Sequence, residues 1–349
     1  MKVLVTGNMA YVGSVLVPHL RATLEGAELI GFDNAYFGHC LTTPSVDPDH
    51  ALTAQYFGDL RRFPGHLVDG VDAVVHLAAV SNDPMGNSFE KVTEEINISA
   101  TVRLAEEARA RGVKHFVFAS SCSVYGAASD GARTEKDSLD PLTAYARSKV
   151  AVEKALKSLA GANMTVTCLR FATACGMSPR LRLDLVLNDF VACALSTGNI
   201  TVLSDGTPWR PLIYVGDMAR AMEWGINRPA GNGGEYLIVN AGAEQWNYQV
   251  RDLARAVAEK VAGCTVNINA DAPRDKRSYR VDFSLFKELA PRHQPLATLP
   301  STIEGLISGL RGIGFSDKNF RQSNLIRLHT LKRHIEAGRL DSDLKWISR

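Results

Sequence analysis

Short apolar, β-branched runs alternate with longer stretches of helical periodicity through the first two-thirds of the chain. The runs fall at Lys2–Thr6, Leu29–Phe32, Ala73–Leu77, His115–Ala119 and Thr165–Phe171, and the helical stretches at Tyr11–Leu24, Phe89–Arg111 and Pro141–Leu159. This alternation predicts an α/β fold, a doubly wound parallel sheet with helices on both faces. Val71–Val75 and Phe116–Ala119 are almost continuously apolar, as strands covered on both sides are. After residue 175 the pattern loosens into helices at Leu183–Ser196, Gly216–Ile226 and Tyr248–Lys260, punctuated by Gly206-Thr207-Pro208. We read residues 1–175 as the main domain and 176–349 as a smaller α/β substrate-covering region, with segments near 210–240 returning to the first. Ser323–Gly338 reads as an amphipathic helix whose basic residues form a solvated face.

Composition narrows the function classes. With 46% hydrophobic residues the chain can bury a sizeable core, and a net charge of +2 provides no electrostatic footprint for nucleic acid. The six cysteines are scattered without paired metal or redox spacing, so they are read as reduced and no metal is expected. No run approaches the roughly 18 apolar residues of a membrane span, and Met1–Gly7 is a strand running into a turn rather than a signal peptide. The expected location is cytoplasmic.

The first strand runs into Thr6-Gly7-Asn8-Met9-Ala10-Tyr11-Val12-Gly13, a G-x-x-G-x-x-G turn in which Ala10 replaces the middle glycine. Such a turn lets the backbone approach a pyrophosphate, which rests on the N-terminus of the following helix. Ala10 keeps that role if its φ is negative. About twenty residues later Asp33, followed by Asn34, ends the second strand, where an acid binds ribose hydroxyls and repels a 2′-phosphate, favouring NAD over NADP.

Farther on, a Ser-rich strand end, Ser120-Ser121-Cys122-Ser123, precedes Tyr145 and Lys149, which are four apart and share a helix face. A lysine ammonium beside a phenol favours the phenolate and lets tyrosine exchange protons with an alcohol. Nucleotide turn, serine strand end and Tyr/Lys helix occur in the order that gathers them at the carboxyl edge of one sheet.

On these residues the chain resembles the extended short-chain dehydrogenases/reductases of the NAD-dependent epimerase/dehydratase family over about residues 1–290. The resemblance implies a Rossmann-type NAD-binding domain with catalytic Ser121, Tyr145 and Lys149. It implies that NAD meets Gly7, Met9, Ala10, Tyr11, Val12 and Gly13 at the turn, and Asp33, Asn34, Asp59 and Leu60 at the adenosine end. It further implies that Leu77, Ala78 and Ala79 line the cofactor, that Asn97 bends a helix beside it, and that Ser120, Tyr145, Lys149 and Phe171 also meet it. A nucleotide-diphosphate sugar would meet Ser81, Ser121, Cys122, Ser123 and Thr173, with Arg210 and Arg277 gripping its diphosphate. Thr173 stands where an asparagine is usual, and Cys175-Gly176-Met177 replaces the common Tyr-Gly-Pro, so sugar contacts there differ. Asn188 is a candidate nucleotide contact, with packing or capping as its alternative. A homodimer is expected through the helices that carry Asn97 and Tyr145.

Dehydratases of the family carry an Asp-Glu pair after the serine; here Cys122-Ser123 occupies that place. Cys122 reads either as an unusually placed base or as a small packing residue. What remains is the equipment of a 4-epimerase working through a transient 4-keto sugar, resembling the UDP-galactose 4-epimerases. The alternatives are a 4,6-dehydratase, a keto-sugar oxidoreductase and, from another class, a non-catalytic NAD-binding regulator.

Overall fold

The computed structural model describes residues 1–42, 47–127, 131–161, 163–269, 271–272 and 278–347. Seven strands make the central sheet: β1 (Lys2–Thr6), β2 (Glu28–Asp33), β3 (Ala54–Phe57), β4 (Ala73–His76), β5 (His115–Ser121), β6 (Thr165–Phe171) and β7 (Tyr236–Ala241). They lie in the order β7-β6-β5-β4-β1-β2-β3, and every neighbouring pair is parallel. The order reverses between β1 and β4, and the crevice at the carboxyl ends of these strands is where a Rossmann-type sheet binds its ligand.

Alternation along the buried strands assigns each side chain to a layer. Val3, Val5, Val75 and Val117 pack on one face with the helices Gly13–Thr23 and Val215–Asn227. Leu4, Val74, Phe116 and Phe118 pack on the other, against Thr101–Ala110 and Ala144–Lys157. A third core, around Leu187, Trp246, Leu253 and Leu306, joins the helices Val186–Thr197, Val250–Lys260 and Leu299–Gly312 into a separate cap. A three-stranded sheet of Asn247–Gln249, Trp209–Tyr214 and Thr173–Cys175 links that cap to the end of β6.

Several expected elements shift. The first helix starts at Gly13, because Tyr11 and Val12 belong to the turn. Phe89–Arg111 is not one α-helix: a π-helical stretch, Glu94–Ala100, interrupts it at Asn97. The Asn97 amide hydrogen-bonds the backbone N (2.8 Å) and O (3.1 Å) of Val80 and the Ser148 hydroxyl (3.1 Å), so the bulge carries the side chain across to β4's exit loop. The last basic helix spans Arg327–Glu336 and is solvated on one side only: Lys332 is exposed, whereas Arg327 and His334 are 1% and 5% exposed. The strands Ala54–Phe57 and Tyr236–Ala241 and the helix Leu299–Gly312 are additions to the sequence reading.

Candidate active site

The turn after β1 is closed by contact between backbones. Gly7 has φ +77° and donates its N–H to Phe32 O at 2.9 Å; a Cβ there would come within 2.6 Å of the Ala78 nitrogen. A Cβ on Gly13 would meet the Asn8 backbone at 2.4 Å. Ala10 is not among the residues with positive φ, so its methyl is tolerated. Asp33 organises the turn from the tip of β2, accepting N–H bonds from Met9 (3.0 Å) and Ala35 (2.7 Å), while burial raises its pKa. Met9 is therefore joined to the site by its backbone.

Two adjoining cavities run from this turn. A small one of about 90 Å3 gathers Asp33, Asn34, Asp59, Leu60 and Ala78, and shares Gly7, Ala10, Leu77, Ala79 and Ser81 with the larger. The larger, about 990 Å3, is also lined by Tyr11, Val12, Gly13, Ser120, Ser121, Ser123, Tyr145, Lys149, Phe171, Thr173 and Arg210. Acids at one end, a glycine turn in the middle and a Tyr/Lys pair at the other suit a dinucleotide: ribose hydroxyls, pyrophosphate and a redox ring in sequence.

Tyr145 and Lys149 come from the helix Ala144–Lys157, whose Thr143 N-cap hydroxyl accepts from Ala146 N at 3.1 Å and donates to Asp83 at 2.7 Å. The Lys149 ammonium lies 5.4 Å from the centroid of the Tyr145 ring and donates to Ala119 O at 2.7 Å. Burial raises Tyr145 to about 12, with Asp83 adding to the rise, while Arg182 and a hydrogen bond with Ser121 pull it down. Burial likewise lowers Lys149 to about 8, against the charge of Glu153 one turn on. Glu153 forms a buried pair with Arg170 (2.9 and 2.7 Å) and accepts the Ser120 hydroxyl at 2.6 Å, so the floor of the site is a closed ionic network.

Three expected contacts point elsewhere. Cys122 is fully buried, its thiol donates to Arg170 O at 3.0 Å, and burial raises its pKa far above the ordinary value. Asn188 is fully buried as well, its amide bound to Gly176 N (2.9 Å) and Arg182 O (2.9 Å), which makes it a packing residue behind the cavity. Asn97 is spent on Val80 and Ser148 rather than on the cofactor space. The Asp59 carboxylate is gripped by the Arg61 guanidinium at 2.7 to 3.0 Å while still lining the small cavity. Arg277 lies outside the described residues.

The structure adds Arg182 and Asp184 to the large cavity. Arg182 clamps Asp184 through two bonds of 2.9 Å and reaches the Ser81 hydroxyl at 3.3 Å; Asn82, at φ +118°, donates its side-chain amide to Asp184 Oδ2 at 2.8 Å, an oxygen Arg182 also bonds. Burial opposes the Asp184 charge, but the Arg182 pair holds its pKa below the usual carboxylate value. The signal lay in Arg180-Leu181-Arg182-Leu183-Asp184, where charges alternate with leucines that are fully buried.

Residues 3–242 match the model of the NAD dependent epimerase/dehydratase family. The chain is 31% identical over 243 residues to the uncharacterized UDP-glucose epimerase YtcB of Bacillus subtilis (strain 168), spanning 66% of this chain and 73% of that protein. It is 30% identical over 280 residues to a UDP-glucose 4-epimerase of Streptomyces lividans, spanning 73% and 80%. Among solved structures, MoeE5 in complex with UDP-glucose and NAD shares the fold at a TM-score of 0.74 and 26% identity, over 89% of this chain and 99% of that one. TunA, an NAD-dependent NDP-hexosamine 5,6-dehydratase, reaches the same TM-score at 23% identity over 89% and 98%, a likeness of fold alone. A glycine turn, an acid at the tip of β2 and a Tyr/Lys pair sharing one crevice agree with that match, and the chain belongs to the NAD-dependent epimerase/dehydratase family.

Proposed function

We propose that the protein is a nucleotide-sugar epimerase that inverts C4 of a nucleoside diphosphate sugar through a transient 4-keto sugar. The observation that carries this reading is the pair of residues after Ser121. Cys122 is buried with its thiol turned to the Arg170 carbonyl, and Ser123 presents a hydroxyl with no hydrogen-bond partner among the described residues. Neither supplies the acid and base that removal of water, or inversion beside a carbonyl by a cysteine base, would need. The relatives named UDP-glucose 4-epimerase and MoeE5, bound to UDP-glucose, support a nucleoside diphosphate hexose as substrate.

In this reading Tyr145 removes the proton from the C4 hydroxyl and returns it to the inverted one, and Ser121, hydrogen-bonded to the phenol, orients the oxygen. Lys149 would hold the cofactor ribose, and Arg182 supplies positive charge that favours the phenolate. Arg210 faces the diphosphate, with Arg277 as its proposed partner. NAD, when bound, would supply a reversible hydride acceptor.

Incubating the purified protein, without added NAD, with UDP-, GDP-, dTDP- and CDP-sugars and recording NMR of the recovered sugar tests the proposal. Mass-neutral inversion at C4 is expected. Loss of water would establish a dehydratase, and turnover only with added NAD or NADH would establish a net oxidoreductase.

A further inference from the structure

The C-terminal segment closes one end of the cofactor space. Leu331 of the helix Arg327–Glu336 and Leu344 beyond it line the small cavity opposite Asp33, Asp59 and Leu60. Both leucines are buried, as is Leu340, and all three pack into the core layer that contains Phe32, Leu60, Met85 and Ile96. None of them lies within the family match, which ends at residue 242.

The segment grips the adenosine side of the site directly. The Tyr36 hydroxyl donates to the carbonyl of Leu344, a residue held at φ +55°, and Trp346 Nε1 donates to Asn34 O at 2.7 Å. Arg61, which clamps Asp59, also donates to Asp343 O at 2.8 Å, and Lys91 lies 3.6 Å from the Asp343 carboxylate. The tail is knitted to itself as well: Asp341 accepts from Asp343 N (2.9 Å) and Lys345 N (2.8 Å), and Leu340 bridges Trp346. Backbone at a positive φ, buried leucines and bonds to both adenosine-side loops describe an element fixed across an opening, where a merely trailing end would have none of these.

We propose that Arg327–Ile347 is a retaining wall for the cofactor, whose adenosine end leaves only when the segment Leu340–Ile347 lifts. The proposal rests on the NAD dependence of the family and not on the C4 assignment.

The test uses the full-length chain and the full-length double variant Tyr36→Phe/Trp346→Ala. NAD released by heat is counted by chromatography, and exchange of bound NAD for isotopically labelled NAD is timed by rapid desalting. The wild type is expected to keep stoichiometric NAD, and the variant to exchange it at least roughly tenfold faster, since off-rates carry most affinity differences within one site. Hydrogen exchange of residues 340–347 in the unaltered chain provides a second reading that needs no variant: stripping NAD should lower amide protection there and adding NAD back should restore it. Equal exchange rates in a folded variant, a wild type that swaps its NAD as fast as the variant, or tail protection indifferent to NAD would each overturn the wall. A wild type that retains NAD yet inverts no sugar would sink the C4 reading and leave this one standing.

Discussion

At the scale of single residues, Ser121, Tyr145, Lys149 and Arg182 share the wall of the large cavity. Tyr145→Phe should lower turnover by roughly 10^3-fold or more while leaving NAD bound, because it deletes the proposed proton carrier and little else; steady-state rates and released NAD check both halves. With the Tyr145 phenol at about 12 and the Lys149 ammonium at about 8, the form with phenolate and ammonium together is a minor one. Its population rises with pH until Lys149 begins to discharge, so kcat/KM should climb to about pH 8 and level off above it. A plateau beginning well below pH 8 would mean that bound cofactor draws the phenol down. Arg182→Ala removes a charge that favours the phenolate and strands the buried Asp184 carboxylate; a loss of about 10^2-fold in kcat is expected, with partial rescue by Arg182→Lys. That Ser121, Tyr145 and Lys149 meet at one cavity was legible, because short fixed spacings place them at one strand end and on one helix face. Arg182 was not, since an arginine between leucines reads as a surface charge until the cap folds over it.

Among the elements, the parallel strands with continuous apolar runs were plain in the sequence, and the missed ones have physical reasons. β3 is four residues, Ala54–Phe57, with Tyr56 and Phe57 exposed at the sheet edge, too short and open to show a period. The bulge at Glu94–Ala100 keeps helical periodicity on either side, so hydrophobic pattern alone cannot reveal that its hydrogen bonds change. Beside it, His76 ends β4 between the hydroxyls of Thr6 (2.7 Å) and Thr101 (2.8 Å), and burial lowers its pKa to about 3. A base depressed in the fold keeps its contribution above its unfolded value of 6.5 and loses it as pH falls towards 3. Stability should therefore decline below pH 6.5 with a His76 share of at most about 1.4 kcal/mol per pH unit, and denaturant titrations of His76→Gln should show a shallower slope. Glu153→Gln, which leaves Arg170 buried without its carboxylate, should cost about 3–5 kcal/mol in the same titrations.

For the whole molecule, the expected pairing through the helices that carry Asn97 (Glu94–Ala100, continued by Thr101–Ala110) and Tyr145 (Ala144–Lys157) predicts a sedimenting mass near twice 37.9 kDa, shifted towards the monomer by charge reversal on the exposed Arg147. The cap shows in the sequence as a loosening of pattern after residue 175, and the segments near 210–240 expected to return to the sheet are the helix Val215–Asn227 and β7, whose strand character the sequence did not show. The placement of Cys122 has a consequence for how the protein meets electrophiles and oxidants. Alkylation and peroxide attack require an accessible thiolate, and five of the six thiols, Cys122 included, are buried; only Cys264 is partly open to solvent. Iodoacetamide should label Cys264 first and leave turnover intact, and turnover should likewise survive peroxide that silences enzymes built on a cysteine base.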